Sequence, residues 1–438
     1  MADLAAAAAM GAYRLVGLLA RPILPFLLAR RVRRGKEDPA RIAERYGRAS
    51  RARPPGRVIW IHAASVGETN SILPLVERIV ARGISVVLTT VTVTAASIAA
   101  DRLPRGAVHQ YSPIDTAAFV RAFLGHWQPE CAIFVESEVW PATVVTLSDA
   151  GVPQVVVNGR LSPRSFAGWQ RYPSIARALF SRIGLCLAQT DRDAAHYSAL
   201  GVPDVRVIGN LKFDTPPPVV DEVGLARLRT ALGDRPAWIA ASTHAGEEEA
   251  VATAHRLVAG AHPGALLVVA PRHPERGEAI AALLASGGFH VARRSAGEAI
   301  APDTAVYVAD TLGELGMFYS AIPPAFRGGS LVPHGGQNPI EPLRLGAAVL
   351  HGPPVHNFHE VYEAIDGGEP DCLVPDPAHL AAAVSRLLDD PAARAASARR
   401  EAGALGPFAG ALDRTVAALS PLLDREPRGR RAAVAVAT

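Results

Sequence analysis

Apolar and polar positions follow one rhythm along this chain. A run of four to six apolar residues is followed by a polar break, and then by apolar residues three and four apart. Val58-Ile59-Trp60-Ile61 is such a run and reads as a buried strand. The chain breaks at Ser65-Val66-Gly67-Glu68, and from Thr69 to Ala81 the apolar Ile72, Leu73, Val76 and Val80 fall at helical spacing. Strands are expected at Val86–Thr90, Cys131–Val135, Gln154–Val157, Ile183–Ala188 and Val205–Ile208. A second series covers Trp238–Ala241, Ala265–Ala270, Ala305–Val308, Ala325–Phe326 and Ala347–Leu350, and an Ala-rich helical stretch, 377–423, closes it. Short apolar strands separated by helical patterns predict parallel sheets with crossover helices, an α/β class. Thr215-Pro216-Pro217-Pro218-Val219 is the clearest linker, because three prolines continue neither a helix nor a central strand. No repeat of solenoid length occurs. The expected division is a leading segment 1–35, a first domain 36–215, a linker 216–222, a second domain 223–423 and a disordered basic tail 424–438.

The first 29 residues are apolar, but Arg14, Arg21, Pro22 and Pro25 interrupt them, so no stretch reaches the roughly 18 uncharged residues of a spanning helix. Arg30-Arg31-Val32-Arg33-Arg34-Gly35-Lys36 follows at once. A secretory signal has the opposite order, with charge first and a cleavage site last. An apolar anchor followed by a basic cluster suits attachment to the membrane surface of an anionic cytoplasmic leaflet. The competing reading is a helix packed on the protein's own core beside a solvated basic face.

The chain has 438 residues, too many for one ordinary domain, and is almost half apolar. The net charge of +4 is concentrated: residues 30–53 hold ten Arg or Lys against three acids, so the remainder is slightly acidic. That distribution speaks against a nucleic-acid binder, which spreads basic charge over a folded face. Three well-separated cysteines, Cys131, Cys186 and Cys372, offer neither a disulfide framework nor zinc spacing and fit a reducing compartment.

Candidate chemistry gathers just after the expected strands. Glu68 sits on a strand-to-helix turn, where open α/β sheets place ligands and a helix dipole favours negative charge. Position alone makes it first a helix-capping carboxylate and second a general base. Glu136 and Glu138 follow another strand. Lys212 is the cationic exception beside the linker, suited either to stabilising a departing phosphate or to pairing with Asp214. In the second half, Arg272, His273 and Arg276 offer cations, and Gly328-Gly329-Ser330 offers backbone amides in a nest suited to phosphate. Asp310 to Leu315 brings backbone to a helix start, and Glu341 is placed to accept two ribose hydroxyls. Four such clusters within about 75 residues point to a nucleotide, and polar strand ends in two similar domains suggest a cleft between them. Asp191-Arg192-Asp193 imitates a metal-binding pair, but after Thr190 and before a helical run it reads as capping. No phosphate-binding Walker loop and no nucleophile elbow occur, and His62 and His244 lack metal-ligand spacing.

In order along the chain, seven motifs resemble the 3-deoxy-D-manno-octulosonic acid (Kdo) transferases of lipopolysaccharide assembly. They are Ser65-Val66-Gly67-Glu68, Glu136-Ser137-Glu138-Val139-Trp140-Pro141, Asn158-Gly159-Arg160-Leu161-Ser162, Gly209-Asn210-Leu211-Lys212-Phe213-Asp214, Ala270-Pro271-Arg272-His273-Pro274-Glu275-Arg276, Gly328-Gly329-Ser330-Leu331-Val332 and Gly335-Gly336-Gln337-Asn338-Pro339-Ile340-Glu341-Pro342. The apolar N-terminus with its basic stretch is similar to that family's membrane anchor. The resemblance implies a GT-B glycosyltransferase fold of two Rossmann-like domains with a central cleft. It also implies an inverting transfer of Kdo from CMP-Kdo to a lipid A precursor, lipid IVA, at the cytoplasmic face of the inner membrane, with neither metal nor cofactor. Carried over residue by residue, Glu68 is the base, and Lys212 with Glu138 or Glu136, Glu138 preferred, stabilises the transition state. Pro271, Arg272, Leu312, Gly313, Glu314, Asn338 and Glu341 hold CMP, and Ser65, Gly67, Gly329 and Ser330 join the substrate contacts. Rival expectations are a UDP-sugar transferase or a UDP-sugar 2-epimerase of the same fold, told apart by nucleotide choice, and a nucleotide-sugar binding protein without catalysis.

Overall fold

The structure is a computed structural model that describes residues 2–214, 220–367 and 371–425; the proline-rich linker and the basic tail lie outside that range, apart from Asp424 and Arg425. The chain forms two compact units, one of Met1–Thr215 with Phe408–Thr438, the other of Pro216–Pro407.

The first unit holds β1 Val58–His62, β2 Ser85–Thr90, β3 Ala107–Tyr111, β4 Cys131–Val135, β5 Gln154–Gly159, β6 Leu185–Ala188 and β7 Val205–Val207. Their order is β3-β2-β1-β4-β5-β6-β7, all parallel. Alternate residues of β1 serve opposite faces. Ile59 and Ile61 pack with Ile72, Val76 and Ile79 of the helix Val66–Val80, while Val58 and Trp60 pack with Phe123, Trp127 and Phe134. Burial on both faces is why these strands read as unbroken apolar runs.

The sequence pattern missed β3, and for a physical reason. It is an edge strand carrying His109 and Gln110, whose side chains are buried and paired: Trp127 Nε1 donates to Gln110 Oε1 at 2.7 Å, and His109 meets Thr90 Oγ1 and Arg41 at 2.9 Å each. Burial and the neighbouring Arg41 and Arg45 guanidinium groups push the His109 pKa down to about 3. The basic stretch is correspondingly not one solvated face. Arg45 is buried and bonded to Glu37, Arg41 binds Glu44 and His109, and Arg53 donates to the Trp127 carbonyl.

The second unit holds β8 Ala237–Thr243, β9 Leu266–Pro271, β10 Val291–Arg293, β11 Val306–Val308, β12 Pro324–Arg327 and β13 Ala348–His351, all parallel in the order β10-β11-β9-β8-β12-β13. β10, three residues long with a half-exposed pattern, was also not predicted. The helical stretch 377–423 divides. Pro377–Asp389 and Pro391–Ala404 belong to the second unit, but the helix Ala411–Leu423 belongs to the first. It buries Ala411, Leu419 and Leu423 against Ile72 and Leu75. The expected second domain therefore ends short of residue 423, because this helix completes a hydrophobic face of the first sheet.

At the N-terminus, the helices Ala2–Leu19 and Leu24–Arg33 are separated at Arg21-Pro22. Among the described residues no single helix is long and apolar enough to cross a membrane; the pair Met10–Leu19 and Leu24–Arg33, bent by 67°, meets that test only together.

Candidate active site

In each sheet the strand order reverses beside the first strand, at β1/β4 in the first unit and at β8/β12 in the second. Ligands of open α/β sheets bind at the C-terminal ends of strands at such a switch point. The polar clusters of each half fall there.

In the first unit, Ser65 is the N-cap of the helix Val66–Val80 and Glu68 is its third residue. Glu68 N donates to Ser65 Oγ at 3.3 Å, Ser65 Oγ donates to Glu68 Oε1 at 2.7 Å, and Ala64 N donates to Glu68 Oε2 at 2.8 Å. This is a variant of the capping box in which the carboxylate reaches the amide of Ala64, one residue before the N-cap, so the capping reading of Glu68 is borne out. The carboxylate is also chemically perturbed. Burial raises its pKa above the ordinary value, the Ser65 and Ala64 bonds oppose that, and the charges of Glu136 and Glu138 add to the rise. A capping carboxylate that is hard to ionise and faces two more acids is poised to take a proton. A Cβ on Gly67 would meet nothing nearer than Ser65 Oγ at 3.9 Å. Packing therefore does not demand glycine there.

Glu136 leaves β4 with φ +59°, a left-handed conformation unusual for glutamate. Lys212 Nζ lies 2.6 Å from its Oε1. The alternative of a Lys212–Asp214 pair is not what forms: Asp214 instead accepts from Gly410 N at 2.8 Å and Leu412 N at 2.6 Å, capping the helix Ala411–Leu423. Glu138 accepts from Trp140 Nε1 at 2.7 Å. His62 Nε2, buried and without a hydrogen-bond partner among the described residues, stands 3.6 Å from Glu138 Oε2. Burial alone would raise the Glu138 pKa, but the His62 ring and the Trp140 N–H outweigh it and the pKa falls. Glu68 and Glu138 are thus pushed in opposite directions, the separation that lets one carboxyl carry a proton while its neighbour stays charged. Sequence reasoning did not foresee His62 in this role. Its signal was a histidine inside an otherwise apolar strand.

The second unit's switch point corrects two expectations. The amides of Gly329, Ser330 and Leu331 are not open to an external anion. They donate to the Glu247 carboxylate at 2.6, 3.0 and 2.9 Å, and His244 N adds a fourth bond at 2.8 Å. Glu247 is fully buried, so the protein fills its own nest. Gly328 has to be glycine because a Cβ would lie 2.4 Å from the Ser242 carbonyl oxygen. Arg276 is likewise committed, holding buried Glu248 at 2.9 and 3.1 Å. Arg272 is exposed just past Pro271, the end of β9. His244 packs against His334 at 3.8 Å between ring centres, the rings tilted by 39°; burial, with His334, His273, Arg272 and Arg276 around it, lowers its pKa to about 4.

Leu312 is 78% exposed, Gly313 has φ +84°, and Glu314 accepts from Arg294 at 2.6 and 3.0 Å, which lowers its pKa. Asn338 Oδ1 caps the short helix Ile340–Arg344 at Ile340 N, and Glu341, half-buried, lies in that helix's first turn. The Asp191-Arg192-Asp193 run is capping as expected, Thr190 Oγ1 accepting from Asp193 N at 3.1 Å and donating to its carboxylate at 2.8 Å.

Residues 40–215 match the sequence family described as 3-deoxy-D-manno-octulosonic-acid transferase (kdotransferase). The chain is 36% identical over 394 residues to a 3-deoxy-D-manno-octulosonic acid transferase of Haemophilus influenzae, spanning 88% of this chain and 92% of that protein. It is 33% identical over 397 residues to a probable mitochondrial 3-deoxy-D-manno-octulosonic acid transferase of Arabidopsis thaliana, spanning 86% and 88%. Among solved structures, a putative UDP-N-acetylglucosamine 2-epimerase from Listeria monocytogenes superposes with a TM-score of 0.54 over 86% of this chain and 99% of its own, at 14% identity, a likeness of fold alone. The two Rossmann-like units are those of the GT-B fold, and the relatives spanning nearly the whole length make this chain a glycosyltransferase that belongs to the 3-deoxy-D-manno-octulosonic acid transferase family.

Proposed function

We propose that the chain transfers Kdo from CMP-Kdo to lipid IVA, a lipid A precursor, with inversion and without a metal, at the cytoplasmic face of the inner membrane. The observation that carries this is the carboxylate cluster of the first unit: Glu68 held reluctant to ionise beside Glu138 held ionised and Glu136 fastened to Lys212. In a single displacement Glu68 takes the proton of the acceptor hydroxyl as its oxygen bonds to the anomeric carbon. The bond from that carbon to the CMP phosphate breaks on the opposite face, and CMP leaves with the electron pair. Lys212, held by Glu136, is a fixed cation for that charge, and a monophosphate has less of it to neutralise than the diphosphate of a UDP-sugar. In the second unit, Pro271, Arg272, Leu312, Gly313, Glu314, Asn338 and Glu341 are assigned to CMP. Arg294 already neutralises Glu314, so it does not repel a phosphate, and the half-buried Glu341 carboxylate is the acceptor assigned to the ribose hydroxyls.

Attachment to the membrane is supported by the N-terminal surface. Leu15, Val16, Leu18, Leu19, Ile23 and Phe26 are each more than half exposed, and Arg30, Arg31 and Arg33 end the second helix. Apolar and basic groups together suit an anionic interface.

The test is a transfer assay with purified protein, lipid IVA and CMP-Kdo generated in place, one arm containing EDTA, the product weighed by mass spectrometry. The expected product gains one or more Kdo units and survives EDTA. Turnover of a UDP-sugar with no use of CMP-Kdo would overturn the donor assignment.

A further inference from the structure

A cavity of about 300 Å³ lies within the first unit, between the helix Leu24–Arg33 and the ends of β1 and β4. Leu24, Leu27 and Leu28 line it on the helix side, Leu27 being 46% exposed. Val91, Pro113 and Ile114 line its flank. Its deep end is Trp60, His62 and Phe134, all almost fully buried, and Trp140 lines its outer edge.

The polar residues around the cavity are largely turned to each other. Glu37 accepts from Arg31 at 2.7 Å and from Arg45 at 2.9 Å. Asp115 accepts from Thr143 N and Thr143 Oγ1 at 2.7 Å and from Tyr13 Oη at 2.8 Å. The rest of the lining is mostly apolar, and at the deep end His62 Nε2 is buried, without a hydrogen-bond partner among the described residues, 3.6 Å from Glu138. Such a space excludes a sugar or a phosphate, whose hydroxyls and charges would lose their hydrogen bonds there. It takes a slender apolar chain whose polar head stays outside, beside exposed Trp140 and its partner Glu138. At about 30 Å³ per water-sized group, the volume accommodates roughly ten methylenes.

We infer that this cavity binds one acyl chain of the acceptor and so sets the distance of the acceptor hydroxyl from the carboxylates. The inference rests on the acylated acceptor proposed above. The occupant is the acceptor rather than a bilayer lipid because two lining residues contact Glu138, buried His62 from within and Trp140, 42% exposed, at the outer edge; a chain seated there has its head group at the reacting end of the site. An acyl chain entering beside exposed Leu27 also passes the apolar surface of the N-terminal helices.

The test uses disaccharide acceptors that differ only in acyl length, with wild type, Val91→Trp and Ile114→Trp. Both substitutions fill the flank from half-exposed positions. With wild type, KM is expected to fall roughly fourfold for each added methylene until the cavity is full, the factor that burial of one methylene gives. In the filled variants that dependence flattens, and the loss with long-chain acceptor exceeds the loss with deacylated acceptor by at least tenfold. A wild-type KM indifferent to chain length, or the same dependence in the filled variants, overturns the inference. Quenching of Trp140 by an acceptor with a brominated acyl chain, with Trp140→Phe as the blank, reads occupancy without catalysis and without a filled variant. Quenching by the acceptor but not by brominated phospholipid vesicles supports the inference, whereas no quenching by the acceptor, or equal quenching by the vesicles, overturns it. Absence of Kdo transfer by wild type to any acceptor would defeat the proposed function while the quenching still decides the cavity.

Discussion

Lys212 Nζ and Glu136 Oε1 lie 2.6 Å apart although 76 positions separate them in the chain. Each comes from the C-terminal edge of the first sheet, Glu136 directly after β4 and Lys212 after β7. Both side chains are largely shielded, with 24% and 17% exposure. Lys212→Met leaves a shielded carboxylate alone and is expected to cost about 1–3 kcal/mol of stability, between the values for exposed and buried pairs. The loss in kcat/KM is expected to be larger, about a hundredfold or more, because a fixed cation near the departing phosphate acts only as charge develops. Denaturant unfolding and the transfer assay together check this; full activity in Lys212→Met would remove the pair from the chemistry.

Glu68→Gln separates capping from catalysis. Glutamine serves at the third helical position of a capping box, so the helix start is kept. Transfer is expected to fall by about a thousandfold, within the range for loss of a general base. Stability moves the other way with pH. Burial holds the folded-state pKa of Glu68 above its ordinary value, so the wild type carries a penalty once the carboxyl is ionised, fully present above the folded pKa and relieved as pH falls through it. Glu68→Gln should therefore melt at or above the wild-type temperature at pH 8, with the gap closing in acid. The acidic limb of the wild-type rate profile should lie above the ordinary glutamate value.

Glu247→Ala strips four backbone amides of their acceptor within the second unit. Leaving several buried donors unpaired is expected to cost about 3 kcal/mol or more, and Glu247→Gln, which retains one acceptor oxygen, distinctly less. Thermal unfolding of the two variants orders them. Equal stability of Glu247→Ala and wild type would mean that the loop does not depend on this carboxylate.

The N-terminal surface predicts a salt-sensitive membrane interaction. Vesicles containing anionic lipid should retain the protein at low salt and release part of it as salt rises, since each basic residue near the surface contributes about 1 kcal/mol that screening removes. Leu19→Glu with Phe26→Glu places charge on two exposed apolar positions and should weaken retention more than tenfold even at low salt. Flotation assays measure both effects.

Much of this architecture was legible because buried parallel strands advertise themselves. β1, β4 and β5 are buried along their whole length and carry apolar runs of three to five residues, since both faces are covered. β3 and β10 were not legible, one carrying buried polar pairs and the other only three residues long. The Glu68 turn was visible because a capping box is a local pattern. The partners of Lys212, Arg276 and the Gly329-Ser330 amides were not, because each contact joins distant segments and a glycine pair reads alike whether its nest holds a ligand or the protein's own glutamate. His62 escaped for a related reason: an imidazole in an apolar strand has meaning only once Glu138 arrives beside it.

The helix Ala411–Leu423 gives the chain an unusual order of assembly. Proteins are made from the N-terminus, and domains ordinarily close as they emerge. Here the sheet made first waits for a segment made after the second unit. Until that helix leaves the ribosome, the seat formed by Ile72 and Leu75 stands uncovered, and Asp214 has no amides to cap. Translation thus finishes the second unit before the first, and a transcript truncated near residue 407 would yield one finished lobe and one with an open apolar scar, a natural substrate for chaperones and proteases.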